Sequence, residues 1–180
     1  TWGGGSVAAA RRAGRHGIGF LAQRDDPALA AAYREAAAEA GHEPGFCLLP
    51  PEGMPASVLV HDDVDAGWDE VGPALLADAV AYHSWNAEAG QADGMATLTS
   101  GSSVEELRRA EGSHRVVSVD GAVDLIERYG ELGLQPLSGG LDPAIAWPYL
   151  RRVVDEVVPV AVSRRSARRD GAGRRGRTSP

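Results

Sequence analysis

The residues best suited to chemistry lie at the start of the chain, where Gly3, Gly4 and Gly5 precede Ser6 and a run of good helix formers. A glycine loop that runs into a helix N-terminus offers unpaired backbone N–H groups and the positive end of the helix dipole. Glycines also lack the Cβ atoms that would keep an anion away, and Ser6 adds a hydroxyl donor. These four residues predict a phosphate-binding loop, with a ligand-free tight turn as the alternative explanation of the glycines.

A dinucleotide is a second ligand compatible with the same loop. Gly3-x-Gly5-x-x-Ala8 fits the Rossmann fingerprint, and Asp25 follows where a ribose-binding acid is expected, roughly 20 residues on. Against this, the fingerprint needs a full strand before the glycines, and the later segments lack regular βαβ spacing. Binding of NAD(P) by a Rossmann oxidoreductase is therefore an open alternative.

Two further polar clusters follow apolar segments. His61, Asp62 and Asp63 end one segment, and Ser138–Gly140 end another, so both are predicted at the same edge of a parallel sheet. Because neighbouring residues on a strand alternate between faces, at most two of the first three could hold one metal ion. No metal site is predicted.

The remaining histidines are not predicted to be catalytic. His83 and Trp85 fall in a helical pattern and are expected to pack or to lie at a rim. His16, His42 and His114 fall at predicted turns, where we expect them to be solvated.

Composition excludes several classes of protein. The chain of 180 residues is 43% hydrophobic and 24% charged, with a net charge of −7, and no apolar run is long enough for a membrane span. A single cysteine, Cys47, excludes an internal disulfide framework and fits a cytoplasmic location. Residues 163–180 carry seven arginines and one aspartate but no aromatic residue, which predicts a disordered tail rather than a nucleic-acid site.

Strand and helix patterns alternate along the chain. Apolar segments predict strands that end at Trp2 and that cover 16–23, 57–63 and 134–140. Helices are predicted over 7–15, over 28–40 with Asp26 as N-cap, from 65, over 104–110, over 122–132, and from 141 with Asp142 as N-cap. A surface loop is predicted at 97–103 and a turn at 114–121. This order favours an α/β fold of about four strand–helix units around a parallel sheet.

The order of four weak motifs resembles luciferase-like flavin-dependent monooxygenases over about residues 1–160. The motifs are GGGSVAAARRAGRHGIGFLAQ, HDDVDAGWDEVGPALLADAVAYHSWN, VVSVDGAVDLIERYGELGLQPL and SGGLDPAIAWPYLRRVVDEVVP. Two positions depart from the family's pattern: Ile18 stands where an aspartate is common, and Val119-Asp120 replaces threonine-proline.

The resemblance implies the C-terminal half of a (β/α)8 TIM barrel, with a partial barrel domain at 1–162 and a disordered tail at 163–180. It implies that Gly3, Gly4, Gly5 and Ser6 bind the phosphate of FMN or of a deazaflavin (F-420), with Arg11 and Arg12 near in sequence. The activity would be oxidation of a small organic substrate, and the family's ring-binding and catalytic residues are expected upstream of Thr1, so no catalytic residue is predicted.

A half barrel would leave two sheet edges and one apolar face open. The chain is therefore expected to be a fragment of a longer product, or to be completed by a partner chain such as a second copy. A non-catalytic remnant that serves only for association is the remaining alternative.

Overall fold

The computed structural model describes residues 1–88 and 102–175, which form a mixed α/β fold with short parallel strands. The strands are β1 (Trp2–Gly4), β2 (Phe20–Ala22), β3 (Cys47–Leu48), β4 (Ser57–Val60) and β5 (His114–Val117). The helices are α1 (Val7–Arg15), α2 (Pro27–Glu39), α3 (Val64–Glu88), α4 (Val104–Ala110), α5 (Val119–Tyr129), α6 (Pro143–Arg152) and α7 (Val158–Arg175). A 3-10 turn covers Ser138–Gly140, and a π-helical turn at Val153–Val157 joins α6 to α7.

The chain divides into two compact units, and α3 contributes to both. Unit one contains Thr1–Met54 and the end of α3 from His83, whereas unit two contains Pro55–Tyr82 and the described chain from residue 102. Each unit has its own parallel sheet and its own buried apolar cluster.

Unit one is built on a parallel sheet in the order β1-β2-β3. Trp2 pairs with Phe20, which in turn pairs with Cys47. Helices α1 and α2 approach closely because Gly14 has no side chain: a Cβ there would lie 2.4 Å from the carbonyl oxygen of Tyr33. The close contact buries Phe20 and Tyr33 completely and forms the core of the unit.

Unit two is built on the parallel pair β4-β5, in which all four residues of β4 are buried. Leu59 packs into a cluster with residues of α3, α4 and α6, whereas Val60 packs with residues of α5, the π-helical turn and α7. Because neighbouring strand residues face opposite sides, helices cover both faces of this sheet.

The predicted α/β class is confirmed, and so are most of the helices. Helices α1 and α4 have the predicted bounds. Asp26 is the N-cap of α2, as predicted, because its carboxylate accepts a hydrogen bond from the Ala28 N–H at 3.0 Å. The half barrel remains a prediction, because the described strands form one sheet of three and one of two rather than a single curved sheet. Of the predicted loop at 97–103, residues 97–101 lie outside the described part of the chain.

Two predicted assignments were wrong. The segment 114–121, predicted as a turn, contains β5, because His114–Val117 pairs with β4. The strand ends at Ser118, which caps α5 by accepting the Gly121 N–H at 3.1 Å. The strand predicted at 134–140 is replaced by the 3-10 turn, because Gly139 and Gly140 both adopt positive φ angles of 62° and 78°. Proline at position 136 also disfavours a central strand there.

The arginine-rich segment is helical as far as the structure describes it, whereas the sequence predicted disorder from residue 163. Arg164 lies 2.6 Å from Asp120, and Arg168 lies 2.5 Å from Glu127, so α7 is held along α5 by opposite charges. Residues 176–180 lie outside the described residues, and the domain boundary after residue 162 stays a prediction. Across the described chain, no helix has both the length and the apolar character of a membrane span.

Candidate functional site

The predicted phosphate loop lies at the carboxyl end of β1 in unit one. Gly3 is exposed, and a Cβ built on it meets no atom of the described residues within 4 Å. In the described part of the chain β1 is an edge strand, so alternate backbone N–H groups have no strand partner on its outer side. The loop is therefore open on the side from which an anion would approach.

The other loop residues have structural roles as well. A Cβ on Gly4 would lie 2.5 Å from the Cβ of Ala9, so this glycine lets α1 pack against the strand. Ser6 is the N-cap of α1, and its hydroxyl oxygen accepts a hydrogen bond from the Ala9 N–H at 3.2 Å. The Ser6 hydroxyl keeps its own proton to donate, and the first N–H groups of α1 stay free of helix partners. The positions open to a phosphate are therefore Gly3 and the start of α1, while Gly4 serves packing and Gly5 is buried.

The two arginines of α1 are engaged elsewhere in unit one. Arg11 pairs with Glu35 of α2 at 2.7 Å. The guanidinium of Arg12 lies 5.3 Å from the centre of the Trp2 ring, a cation–π distance. Both contacts explain these residues without an anion.

A second cluster lies at the carboxyl end of β4 in unit two. His61, Asp62 and Asp63 follow the strand, as predicted, but they have three different roles. Asp63 accepts hydrogen bonds from the Asp65 and Ala66 N–H groups at 3.0 and 3.1 Å and so caps α3. Asp62 lies 3.0 Å from Arg152, and the His61 Nδ1 lies 3.0 Å from the Asp63 nitrogen and 2.5 Å from the Asp63 carbonyl oxygen.

A pocket of about 240 Å³ opens beside this strand end. Its polar lining consists of His61, Glu70, Tyr149 and Arg152, and its apolar lining includes Val60 and Ile145. The Tyr149 hydroxyl donates a hydrogen bond of 2.5 Å to the Glu70 carboxylate, and the Tyr149 ring lies 5.7 Å from the His61 ring. Together these lining residues form the β4 pocket.

Electrostatics keep the Tyr149 phenol protonated. Burial raises the pKa of Tyr149 above its ordinary value, and the hydrogen bond to Glu70 and the charge of that carboxylate raise it further, against a smaller opposing effect of Arg152. Tyr149 therefore acts as a hydrogen-bond donor to Glu70 and is not a base at neutral pH.

Arg152 carries a buried donor without a well-directed acceptor. Its Nη1 is close enough to Asp62 for an ion pair, but it makes no hydrogen bond within the described residues. The Nε of the same side chain lies 3.3 Å from Glu156. Two acids thus balance the charge of Arg152 while Nη1 keeps hydrogen-bonding capacity.

The sequence did not predict Glu70, Tyr149 or Arg152 as site residues. Tyr149 and Arg152 are three residues apart on one helix and so share a face, a local signal that was available. Glu70 and Tyr149 are 79 positions apart, and nothing local in the sequence indicates that they meet.

A buried polar cluster lies at the opposite, amino end of the β4-β5 sheet. His114, which is only 2% exposed, binds Asp78 through Nε2 at 2.8 Å, and the Ser57 and Ser138 hydroxyl oxygens lie 3.0 Å apart. Ser57 pairs with His114 at the first position of the two strands. Two predictions are thereby corrected: His114 is buried rather than solvated, and Ser138 lies at the amino end rather than the carboxyl end of the strands.

This cluster has the residue types of a hydrolase triad but not its access to substrate. Ser57 is completely buried, and sites in parallel sheets form at the carboxyl ends of strands. Asp78 also accepts a hydrogen bond from the Gly139 N–H at 3.1 Å. The cluster therefore ties α3, β5 and the 3-10 turn together.

Other predicted positions are exposed or lack a ligand set. His16, His42 and His83 are exposed, and so is Trp85 on α3. Among residues 1–88 and 102–175, no three side chains of His, Cys, Asp or Glu converge in a group that could hold a metal ion.

Comparisons with known proteins give limited information. No protein-family model and no curated protein matches the chain. Among solved structures, the chain is similar to the monooxygenase RslO1 from Streptomyces bottropensis, with 18% sequence identity and a TM-score of 0.38. The match covers 87% of this chain and 46% of that one, so the chain spans about half the length of RslO1. A similarity at this level does not assign a fold or a function.

Proposed function

We propose that the chain is part of a luciferase-like oxidoreductase, a monooxygenase that uses FMN or a deazaflavin, and that the loop from Gly3 to Ser6 holds the cofactor's phosphate. The proposal rests on the order of the four motifs, and the observation that carries it is the exposed Gly3 on the edge strand β1, shortly before the N-terminus of α1. In this proposal the chain is half of a TIM barrel and acts on a small organic substrate.

The residues of this chain would bind and orient the cofactor. Gly3 would bring its backbone N–H to the phosphate, Ser6 would donate its hydroxyl proton, and the start of α1 would stabilise the negative charge. The bound flavin would supply the redox chemistry, either oxygen activation or, for a deazaflavin, hydride transfer. We expect weak binding to these residues alone, because the loop contacts only the phosphate end.

The test compares FMN with riboflavin, which lacks the phosphate. Because Trp2 adjoins the loop, its fluorescence can report both titrations. FMN is expected to bind about tenfold more tightly, the value of one or two charge-assisted hydrogen bonds. Equal affinity for the two flavins would overturn the assignment of the loop.

A charged substitution tests the same site. Gly3→Asp adds a carboxylate without a clash, since nothing lies within 4 Å of its Cβ. This variant should lose FMN binding and keep its melting temperature, whereas Ala31→Asp on the exposed face of α2 should keep both. FMN binding that survives Gly3→Asp would exclude the loop as the phosphate site.

A Rossmann oxidoreductase is the second candidate, favoured by one observation. β1 and β2 are adjacent and parallel, α1 connects them, and Asp25 is exposed just after β2, at the edge where the glycine loop lies. In that fold the acid would bind a ribose hydroxyl. NAD⁺ binding that is lost in Asp25→Ala, with no flavin binding, would favour this candidate over the flavin enzyme.

A further inference from the structure

The β4 pocket has the form of a binding site in its own right. It lies at the carboxyl end of a parallel strand, the edge at which α/β proteins bind ligands. Its volume is about 240 Å³. Apolar and polar groups share its lining, which is the usual composition of small-molecule sites.

The pocket offers a buried hydrogen-bond donor. Nη1 of Arg152, on α6, is buried, and although it lies 3.0 Å from Asp62 it makes no hydrogen bond in the described chain. The Nδ1 of His61, after β4, is engaged by Asp63, at 3.0 Å from its backbone nitrogen and 2.5 Å from its carbonyl oxygen. A ligand oxygen could therefore receive an N–H of Arg152.

The pocket also offers a charged acceptor. The Glu70 carboxylate, on α3, receives the Tyr149 hydroxyl at one oxygen, Oε2. Within the described residues its other oxygen accepts no hydrogen bond, and it can receive an N–H from a ligand.

Charge decides which ligand fits these groups. An anion would gain Arg152 but would face Glu70, and a cation would gain Glu70 but would face Arg152. The Arg152 charge is in addition already balanced by Asp62 and Glu156. A neutral group that both accepts and donates satisfies both sides without an unpaired charge.

We infer that the β4 pocket binds an uncharged small molecule that carries a carbonyl oxygen next to an N–H, as in a carboxamide, on an apolar body. The carbonyl oxygen accepts from Arg152, and the N–H donates to Glu70. The inference does not rest on the proposed function, since the residues belong to unit two and the test contains no flavin.

Three probes of the same shape test the inference: benzamide, benzoate and benzamidinium. Each is titrated into the whole chain labelled with ¹⁵N, and the amide shifts of residues around the pocket are followed by NMR. Benzamide is expected to bind with a Kd on the order of 1 mM, about tenfold more tightly than either ion. Stronger binding of benzoate or of benzamidinium would overturn the inference, and so would the absence of benzamide binding at tens of millimolar.

The chain provides a matched pair of blocking and control variants. Ala144 lines the pocket and follows Asp142-Pro143 at the start of α6, and Ala28 holds the same position after Asp26-Pro27 at the start of α2. Ala144→Phe should abolish the benzamide shifts, whereas Ala28→Phe should leave them unchanged. Shifts that persist in Ala144→Phe would place benzamide elsewhere and overturn the inference.

A second variant keeps the test valid if Ala144→Phe does not fold. Arg152→Gln keeps a donor but removes the charge, so benzamide should still bind, within about threefold of the wild type. Benzamidinium should bind at least as well as it does to the wild type, because Arg152 no longer repels it. Loss of benzamide binding, or weaker benzamidinium binding, would contradict the assigned roles of Arg152.

Discussion

At the scale of single residues, the hydrogen bond from Tyr149 to Glu70 makes stability sensitive to alkaline pH. Burial and Glu70 raise the pKa of Tyr149 above the value of 10.0 that we take for the unfolded chain. A raised pKa contributes stability that is complete below the unfolded pKa and is lost as the pH rises through the folded pKa. The free energy of unfolding, measured by urea denaturation, should therefore fall more steeply above about pH 10 in the wild type than in Tyr149→Phe.

The comparison between the two proteins isolates this residue. Tyr149→Phe should also cost about 1–3 kcal/mol at neutral pH, because it removes a hydrogen bond to a carboxylate. All other residues are the same in both proteins, so only the difference in slope is informative. Parallel curves would mean that Tyr149 is as easily ionised in the folded chain as in the unfolded one.

Single residues were predictable where their role is local. Asp26 was predicted as the cap of α2 and Asp142 as the cap of α6, and both carboxylates accept a helix N–H. A cap needs only a short side chain next to a helix start, which the sequence displays directly. The contacts of Glu70 with Tyr149 and of Asp78 with His114 depend on how distant segments fold together, and local patterns do not contain that information.

At the scale of elements, the 3-10 turn packs against α3 at Gly139, where a side chain would clash with the helix backbone. Gly139 has a φ of 62°, and a Cβ there would lie 1.8 Å from the Ala74 carbonyl oxygen. Gly140 has a φ of 78° but open space around its Cβ position. Gly140→Ala should therefore cost about 1–2 kcal/mol for its left-handed backbone, and Gly139→Ala should cost clearly more.

Urea denaturation of the two variants measures the difference. The shared positive φ cancels between them, and the remainder is the contact of the turn with α3. Equal losses of stability would mean that the turn can move away from α3 at little cost.

Gly139 and Gly140 also explain why the predicted strand did not form: two positive φ angles turn the chain where a strand would extend it.

The elements were predictable where spacing alone determines them. Helices with polar caps and Asp-Pro starts were predicted within a few residues. β3, with two residues, and β5, with four, were not predicted, because short strands depend on the partner that they meet rather than on their own pattern. The π-helical turn lies next to a feature that the sequence does show. Pro159 has no N–H to donate to the carbonyl of residue 155. Just before it, the Val158 N–H donates to the Val153 oxygen, five residues back rather than the four of an α-helix.

At the scale of the whole molecule, the parallel direction of the strands was predictable and their grouping was not. Alternating strand and helix patterns indicate parallel strands connected by helices. Whether β4 pairs with β5 or with a strand of unit one is decided by packing, and the structure places it in a sheet with β5. The barrel prediction depended on that grouping, which is why the structure confirms only the α/β class.

Because each unit has its own core, we expect damage to one core to stay local. Tyr33 is completely buried in unit one, stacks on Phe20 with ring centres 6.0 Å apart, and accepts the Gly45 N–H at 3.0 Å. Tyr33→Ala should destabilise unit one by about 3–5 kcal/mol. Hydrogen exchange should then show faster exchange of the amides in α1 and α2, with the protection of β4 and β5 unchanged.

The reciprocal variant completes the argument. Trp68 is 4% exposed in the core of unit two, so Trp68→Ala should speed exchange in β4 and β5 and leave α1 and α2 protected. Faster exchange throughout the chain after either substitution would show that the two cores unfold as one cooperative unit. Helix α3 contributes residues to both units, so its amides should show where local opening stops: exchange near His83 should follow unit one, and exchange near Val71 should follow unit two.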